Sequence, residues 1–82
     1  MNDRAASQRL GDAARDRRKH LGLSQAETAE LAGVAVRTVH AVETGKSTVR
    51  LDALLAVLSA VGLQLRLERG NAARVVVAER RR

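Results

Sequence analysis

The sequence predicts a mainly α fold of four to five helices that ends in a β-strand. Apolar residues recur at helical spacing in several short segments, glycines rather than prolines separate these segments, and the last segment alternates apolar and polar residues. The chain has 82 residues, which is room for one small domain. We expect this domain to span residues 1–69, with its strand at 63–68. Residues 70–82 are expected to form a basic C-terminal tail that is mobile or extends the strand pairing.

The first two helices are separated by Gly22. Residues 5–21 are rich in Ala and Arg and place a thin apolar stripe on one helix face. Ser24 and Glu27 then match a capping box, in which the serine hydroxyl accepts from one backbone N–H and the glutamate carboxylate accepts from the other. A second helix is therefore expected to begin at Gln25.

A tight turn at Gly33 ends the second helix, because glycine readily takes the positive φ that such a turn requires. Val36, Val39 and Val42 are spaced three apart and begin a third helix, which ends near Gly45. The last two of these valines are expected to face inward. Two short helices joined by a tight turn form a helix-turn-helix arrangement.

A fourth helix and a strand close the periodic part of the chain. Apolar residues at positions i, i+3, i+4 and i+7 predict a helix over residues 51–61, which Gly62 ends. Leu63, Leu65 and Leu67 then alternate with polar residues, which is the period of a strand. These three leucines are the expected dimerisation residues.

The predicted strand needs a partner for its backbone hydrogen bonds. One candidate is the same strand of a second protomer, which gives a two-stranded antiparallel ribbon across a twofold axis. The other is the segment 74–78, folded back as a hairpin through Gly70. An isolated hairpin is marginally stable and needs packing beneath it, so we favour the ribbon between protomers.

The composition favours nucleic acid as the partner. Fifteen Lys and Arg against nine Asp and Glu give a formal net charge of +6, and basic charge on so small a domain favours a polyanion. Phe, Tyr and Trp are absent from the sequence, which disfavours the recognition of single strands by base stacking. Double-stranded DNA is therefore the expected ligand.

Other classes of protein are disfavoured by residues that the sequence lacks. Without cysteine there are no disulfides and no thiolate metal sites. We find no nucleophile–base pair, metal-ligand cluster or phosphate-binding glycine loop, so we expect no enzyme, metal or cofactor. No uncharged stretch is long enough to span a bilayer and no apolar segment follows Met1, so we expect a cytoplasmic protein.

Four short segments carry a family resemblance: LSQAE at 23–27, LAGV at 31–34, RTV at 37–39 and VETGK at 42–46. Together they resemble the lambda-repressor/Cro-type (XRE) helix-turn-helix family, which implies a lambda-repressor-like fold. The flanking segments at 17–25, 48–52 and 62–65 are similar to those of HipB-like antitoxins. The resemblance covers roughly residues 9–68.

The resemblance implies a homodimeric repressor that binds a palindromic operator in double-stranded DNA. Its HipB-like part implies the antitoxin of a toxin–antitoxin operon, which represses its own genes and binds a HipA-like serine/threonine kinase toxin. One alternative is a stand-alone or phage-type regulator with the same DNA-binding domain. Another is a protein-interaction module that uses the scaffold without reading DNA, since a fold alone does not fix a function.

Base reading is expected from the third helix. An α-helix fits the major groove, and the second helix of the motif presents its N-terminal residues to base edges. Residues 35–41 occupy that position. Arg37 is the first choice because its guanidinium matches guanine O6 and N7, and Val36 is suited to a thymine methyl group. Ala35 and Ala41 complete the expected base-reading set.

Phosphate contacts are expected around this helix. By resemblance, Gln25 holds a phosphate at the start of the second helix, assisted by the backbone N–H groups there. Glu43 is expected to be structural, because a carboxylate at that position would repel DNA. The further phosphate candidates are Thr38, His40, Lys46, Arg50 and the basic run Arg17-Arg18-Lys19.

Two positions depart from the family pattern. Ala35 stands where a serine commonly caps the recognition helix, so a cap worth about 1 kcal/mol is missing. Thr28 replaces a usual core leucine, and its hydroxyl is expected to bond to the backbone carbonyl four residues earlier. We expect the fold to survive these changes with reduced stability.

Overall fold

The computed structural model describes residues 3–69 and 74–79. Its four helices are α1 (Asp3–His20), α2 (Gln25–Ala32), α3 (Val36–Glu43) and α4 (Leu51–Ala60). Two strands follow, β1 (Leu63–Glu68) and β2 (Arg74–Glu79). This order confirms the predicted mainly helical fold with a strand after the last helix. The rest of the predicted tail, at 70–73 and 80–82, lies outside the described residues.

The start of α2 and the turn into α3 are built as predicted. The Ser24 hydroxyl accepts from the Glu27 N–H at 3.0 Å, and the Glu27 carboxylate accepts from the Ser24 N–H at 2.8 Å. Gly33 ends α2 with a φ of 72°. The Val34 N–H donates to the Ala29 carbonyl at 3.0 Å and closes the turn. Helices α2 and α3 therefore form a helix-turn-helix.

A glycine allows α1 to pack closely against the end of α3. A Cβ atom at Gly11 would overlap the carbonyl oxygen of Val42 and lie 3.0 Å from that of Glu43. Glycine inside a helix is less favourable than alanine by roughly 0.8–1 kcal/mol. Here the close approach of the two backbones explains why the position tolerates that cost.

The core is small and aliphatic, with Val39, Val57, Leu58 and Val61 almost completely buried. Thr28 is fully buried among them, yet its hydroxyl has no hydrogen-bond partner within the described chain. The prediction that this hydroxyl would bond to the carbonyl four residues earlier is therefore wrong. The carbonyl of Ser24 instead accepts the backbone N–H of Thr28, at 3.0 Å.

Strands β1 and β2 form an antiparallel hairpin within the chain, with Leu63 opposite Glu79 and Glu68 opposite Arg74. Within the chain the partner of β1 is thus β2, as in the hairpin alternative, and the ribbon between protomers stays a prediction. The hairpin is not isolated, because β1 packs against α4 and β2 contacts α1. This packing supplies the support that a two-stranded sheet needs.

The leucines of β1 differ in their burial because the strand runs away from the helices. Leu63 is 6% exposed and belongs to the core of its own domain. Leu65 is half-buried, whereas Leu67 is 86% exposed. Of the three predicted dimerisation residues, Leu63 is therefore a core residue instead, and the other two present apolar surface.

Candidate nucleic-acid interface

The outward face of α3 carries the residues predicted to read bases. Val39, Val42 and Glu43 are buried and fix which side of the helix points inward. The predicted contact residues on the other side are exposed or half-buried: Ala35, Val36, Arg37, Thr38, His40 and Ala41. Arg37 has no hydrogen bond or ion pair with any other described residue. Its guanidinium is therefore available to a ligand.

A groove of about 350 Å³ runs between α3 and the loop that leads into α4. It brings together five of the predicted contact residues with three residues that sequence reasoning did not select. The lining consists of Arg37, Thr38, Ala41, Lys46, Thr48, Val49, Arg50 and Ala53. Three cations and two hydroxyl groups along one groove give a surface that attracts the DNA backbone.

Arg50 is held at the end of this groove by Asp52. Its Nε and Nη2 atoms each lie 3.2 Å from a carboxylate oxygen of Asp52, which also accepts the Ala53 N–H at 2.7 Å. The hydrogen bond from Arg50 is the main reason that the pKa of Asp52 is lowered. Both side chains are exposed, and such pairs are weak in water. Arg50 can therefore exchange Asp52 for a phosphate.

Arg18, one of the predicted phosphate ligands, makes several hydrogen bonds within the protein. Its Nε and Nη2 atoms donate to the two carboxylate oxygens of Glu43, at 2.6 and 3.0 Å. Its Nη1 atom donates to the carbonyl of Leu23 at 2.8 Å. Each of the three guanidinium nitrogens thus donates within the protein, and a phosphate contact by Arg18 stays a prediction. Arg18 ties α1 to the end of α3.

Glu43 joins this ion pair to the start of α2. The Gln25 side-chain amide donates to Glu43 Oε1 at 3.1 Å. The Glu43 side chain is 4% exposed, so it is structural as predicted. Gln25 is thereby held at the N-terminus of α2, where the sequence predicted a phosphate contact. One buried carboxylate therefore fixes α1, α2 and α3 relative to one another.

The surroundings of Glu43 keep it ionised. Burial acts to raise the pKa of its carboxyl, but the hydrogen bonds from Arg18 and Gln25 and the charges of Arg18 and Arg15 outweigh burial. The net result is a pKa below the usual 4.5. The hydrogen bond to Glu43 in turn raises the pKa of Arg18.

A helix-turn-helix family model matches residues 15–70, which is most of the chain and includes α2, α3 and the groove. The chain belongs to this helix-turn-helix family. Its XRE-type members are DNA-binding regulators, so the match indicates that this chain is a DNA-binding regulator as well. A search of curated proteins found no match.

Two negative findings concern the described residues 3–69 and 74–79. None of their helices is long and apolar enough to cross a membrane. They also contain no group of three or more His, Asp or Glu side chains placed to hold a metal ion.

The network around Glu43 is the part of the interface that sequence reasoning did not assemble. Arg18 and Glu43 lie 25 residues apart, so no local pattern connects them. One signal was present, because Glu43 follows Val39 by four residues and so shares its inward face. A carboxylate on a buried face needs a cation. Choosing Arg18 from the three consecutive basic residues required the structure.

Proposed function

We propose that this helix-turn-helix protein is a homodimeric transcriptional repressor that reads a palindromic operator in double-stranded DNA. The observation that carries the proposal is the groove beside α3, which Arg37 lines together with Lys46 and Arg50. The guanidinium of Arg37 has no partner among the described residues. A free arginine on the outward face of the second motif helix is suited to a base edge. The two flanking cations are suited to the phosphates on either side.

The bases are read by a short segment of α3. Arg37 binds guanine O6 and N7, and the exposed side chain of Val36 packs on a thymine methyl group. Ala35 and Ala41 are small, which allows the helix to lie deep in the major groove. Their methyl groups cannot form hydrogen bonds, so they disfavour base edges whose polar groups would be left without a partner.

Phosphates are bound on both sides of α3. Gln25 lies at the start of α2, held by Glu43, and contacts one strand with the backbone N–H groups of that helix end. Lys46, Arg50 and Thr38 contact the strand that borders the groove. His40 is exposed on α3 and reaches a phosphate at the rim. These contacts orient the helix and supply most of the salt-dependent affinity.

The hairpin is the dimerisation element. Leu67 is 86% exposed and Leu65 is half-buried, and both lie on the same face of β1. A second protomer related by a twofold axis covers this face and is covered in return. The same axis relates two α3 helices, which then read two halves of a palindrome about one DNA turn, roughly 34 Å, apart.

We extend the proposal to the antitoxin of a toxin–antitoxin operon, on the resemblance of residues 9–68 to HipB-like antitoxins. In that role the protein represses its own genes and binds a HipA-like kinase toxin. A stand-alone or phage-type regulator would have the same DNA interface. Co-purification with the product of the neighbouring gene distinguishes the two, because only an antitoxin forms a stable complex with it.

The test is footprinting of the purified protein on DNA upstream of its own gene, over a range of salt concentrations. We expect protection of two half-sites about one helical turn apart that persists in excess competitor DNA. Weak binding that is indifferent to sequence and collapses with salt would contradict the proposal. It would favour a protein-interaction module on the same scaffold.

A further inference from the structure

We infer that Arg17 fixes the angle between the hairpin and the DNA-reading helix, and so sets which half-site separation the dimer accepts. Arg17 Nε donates to the carbonyl of Val61 at 3.1 Å. Its Nη1 atom lies 3.0 Å from Oε1 of Glu79. One side chain of α1 thus holds both the end of α4 and the end of β2. The inference rests on the dimeric DNA-binding function proposed above.

The guanidinium of Arg17 lies over the joint between the helices and the hairpin. The chain passes from α4 into β1 through Val61 and Gly62, and Gly62 has a φ of 81°. A Cβ atom on Gly62 would lie 3.7 Å from Nη2 of Arg17. Because glycine can adopt many backbone conformations, contacts around Gly62 are needed to select one orientation of β1. Arg17 supplies a charged contact on each side of that joint.

The position of Glu79 lets its ion pair with Arg17 control the orientation of the hairpin. Glu79 is paired with Leu63 at the base of the hairpin. Leu67 lies four residues further along β1, or roughly 13 Å from the base. A rotation of about 15° at the base would therefore move the dimerising end by about 3 Å, close to the rise of one base pair. The twofold axis applies that displacement to both protomers.

The Arg17–Glu79 ion pair is separate from both the hydrophobic core and the groove beside α3. Glu79 is 69% exposed, so its replacement leaves no cavity. A shallow groove between α1 and the hairpin lies beside the pair, lined by Ala13, Asp16, Arg17, His20, Leu63 and Glu79. None of these residues lines the groove beside α3. Changing Glu79 should therefore alter geometry without changing the surface that meets DNA.

The experiment measures the preferred separation of half-sites. A set of duplexes carries two copies of the footprinted half-site, with centres separated by about 8 to 13 base pairs around one helical turn. Wild type should prefer one separation. We compare the affinity for the preferred separation with the affinity for separations one base pair shorter or longer. In E79Q this ratio should fall about two- to fivefold, which is the effect expected from loss of an exposed ion pair. The affinity of E79Q for a single half-site should be unchanged.

Two variants serve as controls. E79D keeps the carboxylate beside Arg17 and should restore much of the wild-type preference. E30Q makes the same charge change on the exposed face of α2 and should leave the preference intact. Amide hydrogen exchange of β2 in each variant reports separately whether the hairpin is still formed.

Three results would overturn the inference. The first is a separation profile for E79Q that equals the wild-type profile. The second is an equal loss of single half-site affinity, which would mean that the pair only stabilises the domain. The third is wild-type protein that prefers no separation or binds no operator, in which case the proposed function fails too. The first two leave the proposed function in place, so the failures are distinguishable.

Discussion

Arg37 and Lys46 line the same groove, yet they should affect DNA binding in different ways. Replacing Arg37 by Ala should relax discrimination at one base pair by about 1–3 kcal/mol, because a guanidinium that grips a guanine edge is lost. Replacing Lys46 by Ala should weaken binding to all sequences and lower the salt slope by about one. Titrations of operators with single base changes, over several salt concentrations, measure both effects.

The matched control for these two variants is R9A. Arg9 is exposed on α1 and does not line the groove, so R9A removes the same charge elsewhere. It should leave base discrimination unchanged. If R37A weakened every operator equally, as expected for K46A, Arg37 would be a phosphate contact and not a reader of bases.

The buried hydroxyl of Thr28 has no hydrogen-bond partner among the described residues, so it should lower the free energy of unfolding. Valine has nearly the same shape and no polar atom, so T28V should raise the free energy of unfolding by about 1 kcal/mol or more. Urea unfolding followed by circular dichroism measures the change. T28S keeps the hydroxyl and loses a buried methyl group, so it should be less stable than wild type. A destabilised T28V would show that the hydroxyl finds a partner in solution.

The helices could be predicted from sequence because their signals are local. The box at Ser24 and Glu27, the turn at Gly33 and the leucine period after residue 51 each involve a few neighbouring residues. The partner of β1 could not be predicted in this way. The alternation of leucines indicates a strand but says nothing about which chain supplies the other half of its ladder.

The packing of α1 against α3 reverses the usual expectation for a glycine in a helix. On propensity alone, G11A should stabilise α1 by up to about 1 kcal/mol. Because a methyl group at Gly11 would overlap the Val42 carbonyl, we expect a net loss of about 1–2 kcal/mol in the free energy of unfolding. Thermal unfolding checks the sign. D12A, at the next and exposed position of α1, should be neutral or stabilising.

The hydrogen bonds of Glu43 with Arg18 and Gln25, which connect α1, α2 and α3, should weaken in acid. The pKa of Glu43 is below 4.5 in the folded protein, so its ion pair contributes fully at pH values above about 4.5. That contribution is lost as the pH falls through the folded pKa, because the carboxyl must then be protonated. The free energy of unfolding should therefore decrease with acidification below about pH 4.5.

The matching variant for this acid effect is E43Q. It should be less stable than wild type at pH 7 by about 3 kcal/mol, since the partly buried guanidinium of Arg18 loses its charged partner. It should also lose much of the acid dependence below about pH 4.5. E30Q, on the exposed face of α2, should keep the wild-type profile. An identical acid profile for E43Q and wild type would assign the dependence to other carboxylates.

For the whole molecule, the sequence predicts the kind of partner better than it predicts the geometry of the interface. The net charge of +6 and the motif between residues 23 and 46 indicate DNA. The sequence also selected Arg37, Lys46 and Arg50, which the fold brings to one groove. It could not show that Arg18 is the cation that pairs with Glu43, because three adjacent cations on α1 look alike until their helix faces are known.

The exposed end of the hairpin decides whether the molecule acts as a pair. Leu67 is 86% exposed and Leu31, on α2, is 64% exposed, so both accept a charge without disturbing the core. If β1 forms the twofold interface, L67D should shift the protein to monomer in sedimentation experiments, because an aspartate there must be buried against its symmetry mate. Affinity for a palindrome should fall to that for a single half-site.

L31D introduces the same charge at an equally apolar surface residue away from the hairpin. It should leave both the dimer and the palindrome affinity unchanged. Binding of L67D to one half-site should also stay near the wild-type value, since the groove beside α3 is untouched. A monomeric L31D together with a dimeric L67D would move the interface from the hairpin to α2. The ion pair of Arg17 with Glu79 would then orient a hairpin that does not determine the separation of the two recognition helices.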